Sequence, residues 1–287
     1  MVTPRVTAKY YAREPQDGLM LTRLAPPARQ TRLLRRQRVE ARLAAALDHP
    51  LCVIVAPPGS GKTTALATLA SMGGWPAAWC RARRGDDPAL FLRHLAAAFR
   101  TVAPLDEARI EAALARDNAL RAAVETLVNE LAAALDDETL LVIDDYHLAD
   151  EQPELRALID QLIAVQPMRL HLTLATRVVP ALAAVETARL RGELLALGPG
   201  DLAFDLEEAR ALFALANQPV PPDLPALLAT TCGWPLGLQA AVGAADWRTA
   251  LGLHGPSALD SYFEQHIFNE LPLHLQHFLL QVAGMRR

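Results

Sequence analysis

The sequence is short of cysteine, has almost no net charge and contains no long apolar run. Its three cysteines, Cys52, Cys80 and Cys232, stand far apart with no Cys-x-x-Cys spacing, so they read as reduced core residues of a cytosolic protein. Lys and Arg (28) nearly balance Asp and Glu (32), leaving a net charge of -4 and no global basic field to draw the chain onto nucleic acid. No stretch approaches the roughly 18 to 20 apolar residues that span a bilayer. Met1 to Gly18 is mixed and charged, unlike a secretory signal. A cytoplasmic protein with no membrane partner is expected. What the chain does have is 52% hydrophobic residues over 287 positions, enough for a large core and more than one domain.

The most informative stretch is Ala56-Pro-Pro-Gly-Ser-Gly-Lys-Thr63, after the apolar run Leu51 to Val55. A glycine-rich turn between a buried strand and a helix start is a cradle for phosphate. Pro58, Gly59, Ser60 and Gly61 let backbone N–H groups converge on phosphate oxygens, and the helix from Thr64 to Ser71 offers its positive end. In such a loop Lys62 reaches the β- and γ-phosphates and the Thr63 hydroxyl is a Mg2+ ligand. Ala56 stands where the stricter motif has glycine.

The second half of such a site is Thr139-Leu-Leu-Val-Ile-Asp-Asp-Tyr-His147. Four apolar residues in a row suit a strand buried on both faces of a parallel sheet. Of the acids that end it, Asp144 is expected to hold Mg2+, directly or through water, and Asp145 to polarise an attacking water. A further strand, His171 to Ala175, ends at Thr176-Arg177, and an arginine there points into the crevice where open α/β sheets bind ligands. It either senses the γ-phosphate or is a solvated strand end.

The remaining pattern gives the architecture. Residues 1–28 carry Pro4, Pro15, Pro26 and Pro27 and read as an extended leader, expected to lie across a later domain. Arg29, Arg32, Arg35, Arg36, Arg38 and Arg42 face a single Glu40, and a helix is expected over Val39 to Leu47. Lacking aromatics and helix-turn-helix form, this basic stretch suits local contacts better than DNA. Strands over Ala77 to Cys80 and Glu193 to Leu197, and helices over Pro88 to Arg100, Leu105 to Arg116, Ala119 to Leu135 and Leu155 to Val165, complete an alternating series. The fold class is α/β: a P-loop NTPase domain, 29–200, with a five-stranded parallel sheet flanked by helices. A small all-α domain, 201–250, follows Gly198-Pro-Gly200, with Asp205 and Glu208 forming an acidic capping box and Pro235 opening a helix to Val242. Residues 251–287 read as the start of a further helical unit, and with no stop or cap near Arg287 the chain is expected to be part of a longer protein.

Taken in order, these residues resemble the signal-transduction ATPases with numerous domains (STAND), and among them the large LuxR-type transcription regulators related to the maltose-regulon activator. Carrying the resemblance are Leu21 to Pro27, Leu33 to Val39, the phosphate loop, Ile143 to His147, Ala175 to Arg177, Leu202 to Ala209 and Gly233-Trp-Pro-Leu-Gly-Leu-Gln239. It implies that Pro235 packs near adenine, that Arg36 belongs to the adenine-side motif and that Arg177 is the strand-end sensor. Arg35 stands where the wider group usually has glycine. The resemblance implies ATP or ADP with Mg2+ as cofactors, a resting ADP state, and an ATP state that self-associates when an inducer is present. It implies a winged-helix unit beyond 251 and DNA contact through a later C-terminal domain; slow hydrolysis is expected because positioning groups and Mg2+ are provided for while no arginine finger can be assigned. The absence of Asn-Lys-x-Asp argues against a guanine nucleotide. Two other readings are open: a phosphotransferase acting on a small acceptor, and a scaffold that binds nucleotide without hydrolysing it.

Overall fold

The computed structural model describes residues 18–27, 33–71, 74–116 and 119–284. Arg29, Arg32 and most of the leader lie outside them. By their contacts the described residues form two units, one within 18–27, 35–56 and 62–201, the other within 33–34, 57–61 and 202–284.

The first unit is built on five short runs with little room for polar side chains. Its elements are α1 (Gln37–Ala44), β1 (Leu51–Val55), α2 (Lys62–Ser71), β2 (Ala77–Arg81), α3 (Pro88–Phe99), α4 (Glu107–Leu114), α5 (Ala119–Ala134), β3 (Thr139–Asp144), α6 (Pro153–Val165), β4 (Leu170–Thr176), α7 (Ala183–Arg191) and β5 (Leu194–Leu197), with α8 (Pro199–Leu202) at its end. All neighbouring strands are parallel, in the order β2-β3-β4-β1-β5. Central β3 and β4 are buried at every position, whereas edge strand β5 is not. That difference is the reason continuous apolar runs mark the middle of a parallel sheet. Helices cover it with an apolar face each: Phe91, Leu95 and Phe99 of α3, Leu127 and Leu131 of α5, and Leu158, Ile159 and Leu162 of α6 share one core.

Local chemistry starts and stops these helices. Asp87 accepts a hydrogen bond from Leu90 N at 2.8 Å, with Pro88 in the first turn of α3. Gly192, at φ 72°, closes α7 in the left-handed conformation that costs a glycine least. Helix α7 is absent from the sequence reading, which passes straight from the strand ending at Ala175 to the one beginning at Glu193. Its polar side chains and buried Val185 and Ala188 carry little amphipathic signal. Helix α1 also begins two residues earlier than expected and tightens into a 3-10 turn over Ala45–Asp48.

The described part of the leader, residues 18–27, holds a short 3-10 turn, Leu21–Arg23, and belongs by contact to the first unit. Arg23 is buried with Asp86, donating from Nη1 at 2.8 Å and also from Nη2, while its Nε donates to Arg81 O at 2.8 Å. Met20 N donates to His94 Nε2 at 3.1 Å.

In the second unit the described residues beyond α8 are helical or irregular: α9 (Leu206–Leu215), α10 (Leu224–Thr231), α11 (Pro235–Ala241), α12 (Trp247–Ala250), α13 (Ala258–His266) and α14 (Leu273–Gly284). The capping box at α9 is present, Glu208 N donating to Asp205 Oδ1 at 2.8 Å and Asp205 N to Glu208 Oε2 at 3.2 Å. Ala209, Phe213, Leu227, Leu238 and Trp247 form a separate small core. Among the described residues no helix is long and apolar enough to cross a membrane.

Candidate functional site

The strand order decides where the site lies. Because β4 sits between β1 and β3, their carboxyl ends stand two strand spacings apart, about 10 Å. The first turn of α2 reaches across that gap. Thr63 donates its hydroxyl hydrogen toward both oxygens of Asp144, at 3.1 and 3.0 Å. Arg177 follows β4, the intervening strand, so topology alone places it between the two halves.

Lys62 is buried, and its Nζ donates to Ala56 O at 2.6 Å. Burial, reinforced by Arg177, lowers its pKa to about 8 against the pull of Asp145 and Asp144. Asp144 is fully buried, and its carboxyl pKa is raised by burial first and by Asp145 second. Arg81, the Thr63 hydroxyl and Asp145 N, which donates to Asp144 Oδ1 at 3.1 Å, oppose that rise. Asp145 itself adopts a left-handed conformation, φ 55° and ψ 35°, rare for a residue with a side chain. It turns the chain sharply into the 3-10 turn Tyr146–Leu148.

Two residues reach this site without having been assigned a role from the sequence. Arg81, one residue beyond the strand expected over Ala77 to Cys80, is the last residue of β2 and sits in register beside Asp144. Its Nη2 and Nε lie 3.3 and 3.4 Å from Asp144 Oδ2, and its Nε is 3.8 Å from Asp145 Oδ2. One more residue of strand would have been the signal. His147 closes the Ile-Asp-Asp-Tyr-His run; both ring nitrogens are shut off from solvent and neither has a hydrogen-bond partner. Burial, then Arg177, lowers its pKa to about 4, so the imidazole is neutral at pH 7.

The central part of the phosphate loop, Pro57–Gly61, belongs by contact to the second unit. Gly59 and Gly61 take φ of 73° and 79°, and Ser60 is buried between them. Trp234 Nε1 donates to Pro58 O at 3.0 Å, and Leu236 N donates to Gly59 O at 3.1 Å. A Cβ on Gly59 would meet Trp234 and Leu236 at 2.8 Å, so glycine is required there by space as well as by φ. Pro235 opens α11, its ring 3.9 Å from where a Cβ on Gly61 would sit. Thr64 is exposed on α2, and Arg36 is the N-cap of α1, its carbonyl accepting from Glu40 N at 2.8 Å. The other described arginines of the basic stretch find acidic or carbonyl partners. Arg35 pairs with Glu40, Arg38 donates to Asp201 O at 3.1 Å and Arg42 to Asp201 Oδ1 at 3.0 Å.

The geometry thus collects one buried ammonium, a hydroxyl joined to a buried carboxylate, a second carboxylate and two guanidinium groups at one end of a parallel sheet. Such a set suits a polyanion and a hard cation.

Comparison with known proteins agrees. Residues 29–179, more than half of the chain, match the family model described as an AAA ATPase domain. The transcriptional regulator MalT of Cronobacter sakazakii is 30% identical over 281 residues, covering 93% of this chain. MalT of Klebsiella pneumoniae is 27% identical over 282 residues, again covering 93%. In both cases the match takes in only 31% of the relative's length. Among solved structures, a STAND protein with a tetratricopeptide repeat sensor from Pyrococcus horikoshii superposes with a TM-score of 0.52 at 17% identity, over 86% of this chain and 34% of that one. A Walker-type ATPase of Pyrococcus abyssi also gives 0.52, at 13% identity, over 93% and 80% of the two chains. Both likenesses are of fold. A parallel sheet with a phosphate loop after β1, acids ending β3 and a sequence match across both places the chain in the AAA ATPase domain family, as a P-loop ATPase of the kind found in MalT-like regulators.

Proposed function

We propose that this chain is the nucleotide-operated part of a transcription regulator, binding ATP or ADP with Mg2+ and hydrolysing ATP slowly. The observation that carries the reading is the junction of Thr63 with Asp144 beside Lys62, at the carboxyl end of the sheet. The residues fit these ligands. Thr63 Oγ1 and Asp144 already share a hydrogen that a divalent cation would replace. Among the described residues no group of three or more His, Cys, Asp or Glu could hold a metal unaided. This suits Mg2+, which takes one or two protein oxygens and completes its shell from phosphate and water. When bound, the cation would neutralise charge developing on the phosphates.

The chain's own groups then divide the work. Lys62 exchanges the Ala56 carbonyl for phosphate oxygens, a trade favoured by its burial. Backbone N–H groups of Gly59, Ser60 and Gly61 with Pro58, and those of Thr63 and Thr64, are assigned to phosphate. Asp145 orients the attacking water, Arg177 answers the terminal phosphate, and Arg36 and Pro235 are assigned to the adenine side. Self-association in the ATP state, response to an inducer and DNA contact through a separate C-terminal domain belong to the same proposal, supported by the regulators that the chain resembles. Arg81 is held to Asp144 and Asp145, so no guanidinium is assigned to an arginine finger, the device that makes related ATPases fast.

Calorimetry with Mg·ATP and ADP tests the reading. Lys62→Ala is expected to weaken both at least tenfold, and unchanged binding would remove the phosphate-loop assignment. Asp145→Asn is expected to keep Mg·ATP binding while phosphate release falls about a hundredfold or more. Wild type that binds but never releases phosphate would make the chain a scaffold.

A further inference from the structure

The acids at the end of β3 face a cation of the chain's own, and none of the assignments above gives it a role. Arg81 closes β2 in register with Asp144, and its main chain is held on both sides. Ala82 N donates to Asp144 O at 2.9 Å, and Arg81 O accepts from Nε of buried Arg23 at 2.8 Å. The side chain is thereby aimed at the acids. Its Nη2 and Nε lie 3.3 and 3.4 Å from Asp144 Oδ2, and Nε is 3.8 Å from Asp145 Oδ2. The next two arginines of the chain turn elsewhere: Arg84 pairs with Glu151 at 2.8 Å, and Arg83 Nη1 lies 2.9 Å from Met20 Sδ.

Two features set this contact apart from an ion pair that only holds the fold. Asp144 has hydrogen-bond donors without it, since Asp145 N donates to Oδ1 at 3.1 Å and the Thr63 hydroxyl lies 3.1 and 3.0 Å from the two oxygens. What the guanidinium adds is therefore mainly charge. The second feature is unequal burial: the Asp144 side chain is 0% exposed and that of Arg81 36%. Contacts of 3.3 to 3.8 Å are also longer than the roughly 2.7–2.9 Å of a tight charge-assisted bond. Arg81 can leave the acids by rotating its side chain alone, with β2 unmoved and the core closed.

Two carboxylates beside a phosphate loop repel a polyanion unless a cation offsets them. A divalent metal is one such cation; Arg81 is another, fixed to the chain and charged at every physiological pH. Both draw on the same carboxylate, so they compete. With Arg81 in place the phosphates meet an acid pair that is already partly neutralised, and a metal that enters gives up part of its gain to the ion pair it breaks. Resting on the nucleotide reading above, we propose that Arg81 is a built-in counter-cation that stands in for the divalent metal at Asp144 and Asp145, so that the chain holds a nucleoside diphosphate with little dependence on Mg2+.

The test is calorimetry on the full chain with ADP, once with Mg2+ and once with EDTA in its place. Arg81→Gln is expected to weaken ADP about tenfold in EDTA, the scale of one unit charge removed a few ångströms from the acids, and far less with Mg2+, so that dependence on the metal rises. Arg81→Lys, which keeps the charge and loses the fork, is expected to stay near wild type under both conditions. A merely structural role would weaken the two conditions alike, and thermal melting of each variant checks the fold. Wild type that binds ADP only with Mg2+, an unchanged ratio of the two affinities in Arg81→Gln, or the same change in both variants overturns the proposal. Wild type that binds ADP under neither condition overturns the underlying reading and this one with it, whereas binding under both with Arg81→Gln unaffected sinks only the role of Arg81.

Discussion

At the scale of single residues, the site is a set of charges whose costs offset one another. Asp144 and Asp145 repel, and burial makes the first of them expensive to ionise; Arg81 lies against both and offsets part of that cost. For Lys62, burial and Arg177 outweigh the pull of Asp145 and Asp144 and lower its pKa to about 8 against roughly 10.4 in an unfolded chain. The sign of the linkage follows. Between those two values the unfolded chain holds more protons, so stability rises with pH across the window, and below about 8 the penalty for the buried ammonium is present in full. Lys62→Met is therefore expected to be more stable than wild type at pH 7, the advantage shrinking between pH 8 and 10, as urea denaturation without nucleotide would record. A parent chain that is the more stable of the two at pH 7 would contradict this. The buried thiols carry no such liability: burial pushes Cys52 and Cys80 up to about 12, so both stay protonated and unreactive.

Elements carry the second layer of argument. Strands β1 and β3 were legible as near-continuous apolar runs, the mark of burial on both faces, and β4 as a run interrupted by His171 and Thr173; α3, α5 and α6 were legible because each buries one stripe. Helix α7 was not, since it rests on little more than Val185 and Ala188. The leader turn was not legible either. Nothing local in Leu21-Thr-Arg23 announces that Arg23 will be buried against Asp86, a pairing 63 residues away in the chain. That pairing holds the loop leaving β2, and through Arg81 O the base of the residue that faces Asp144. Replacing one partner strands the other charge in the interior, which costs more than the pair itself contributes. Arg23→Leu is expected to lose about 3–5 kcal/mol by chemical denaturation, and the double variant Arg23→Leu with Asp86→Leu to regain part of it. A loss under about 1 kcal/mol would show that Arg23 is held only loosely.

For the molecule as a whole, the division into two units is the dominant fact. Each has its own apolar core, one around Phe91, Leu127 and Leu158, the other around Phe213, Leu227 and Trp247. Chains with separate cores need not melt as one. Leu127→Ala and Leu227→Ala, each costing about 2–5 kcal/mol locally, are expected to lower different steps of a calorimetric melt; one indivisible transition shifted equally by both would contradict that. The chain spans about 31% of the length of the MalT relatives it matches, and α14 leaves Leu273, Phe278 and Leu280 exposed.

The sequence by itself determined the chemistry-bearing residues and their order: a glycine-rich loop ending in Lys62 and Thr63, acids at the end of a buried strand, and an arginine after the next one. Those signals are local, set by backbone space, hydrophobic period and residue type within a few positions. Only the tertiary structure decided that β4 lies between β1 and β3, that Thr63 meets Asp144, that Arg81 pairs with both acids and that the ring nitrogens of His147 are left without partners. Strand order, cross-strand register and burial depend on contacts between residues far apart in the chain, and no short window of sequence holds both members of such a contact.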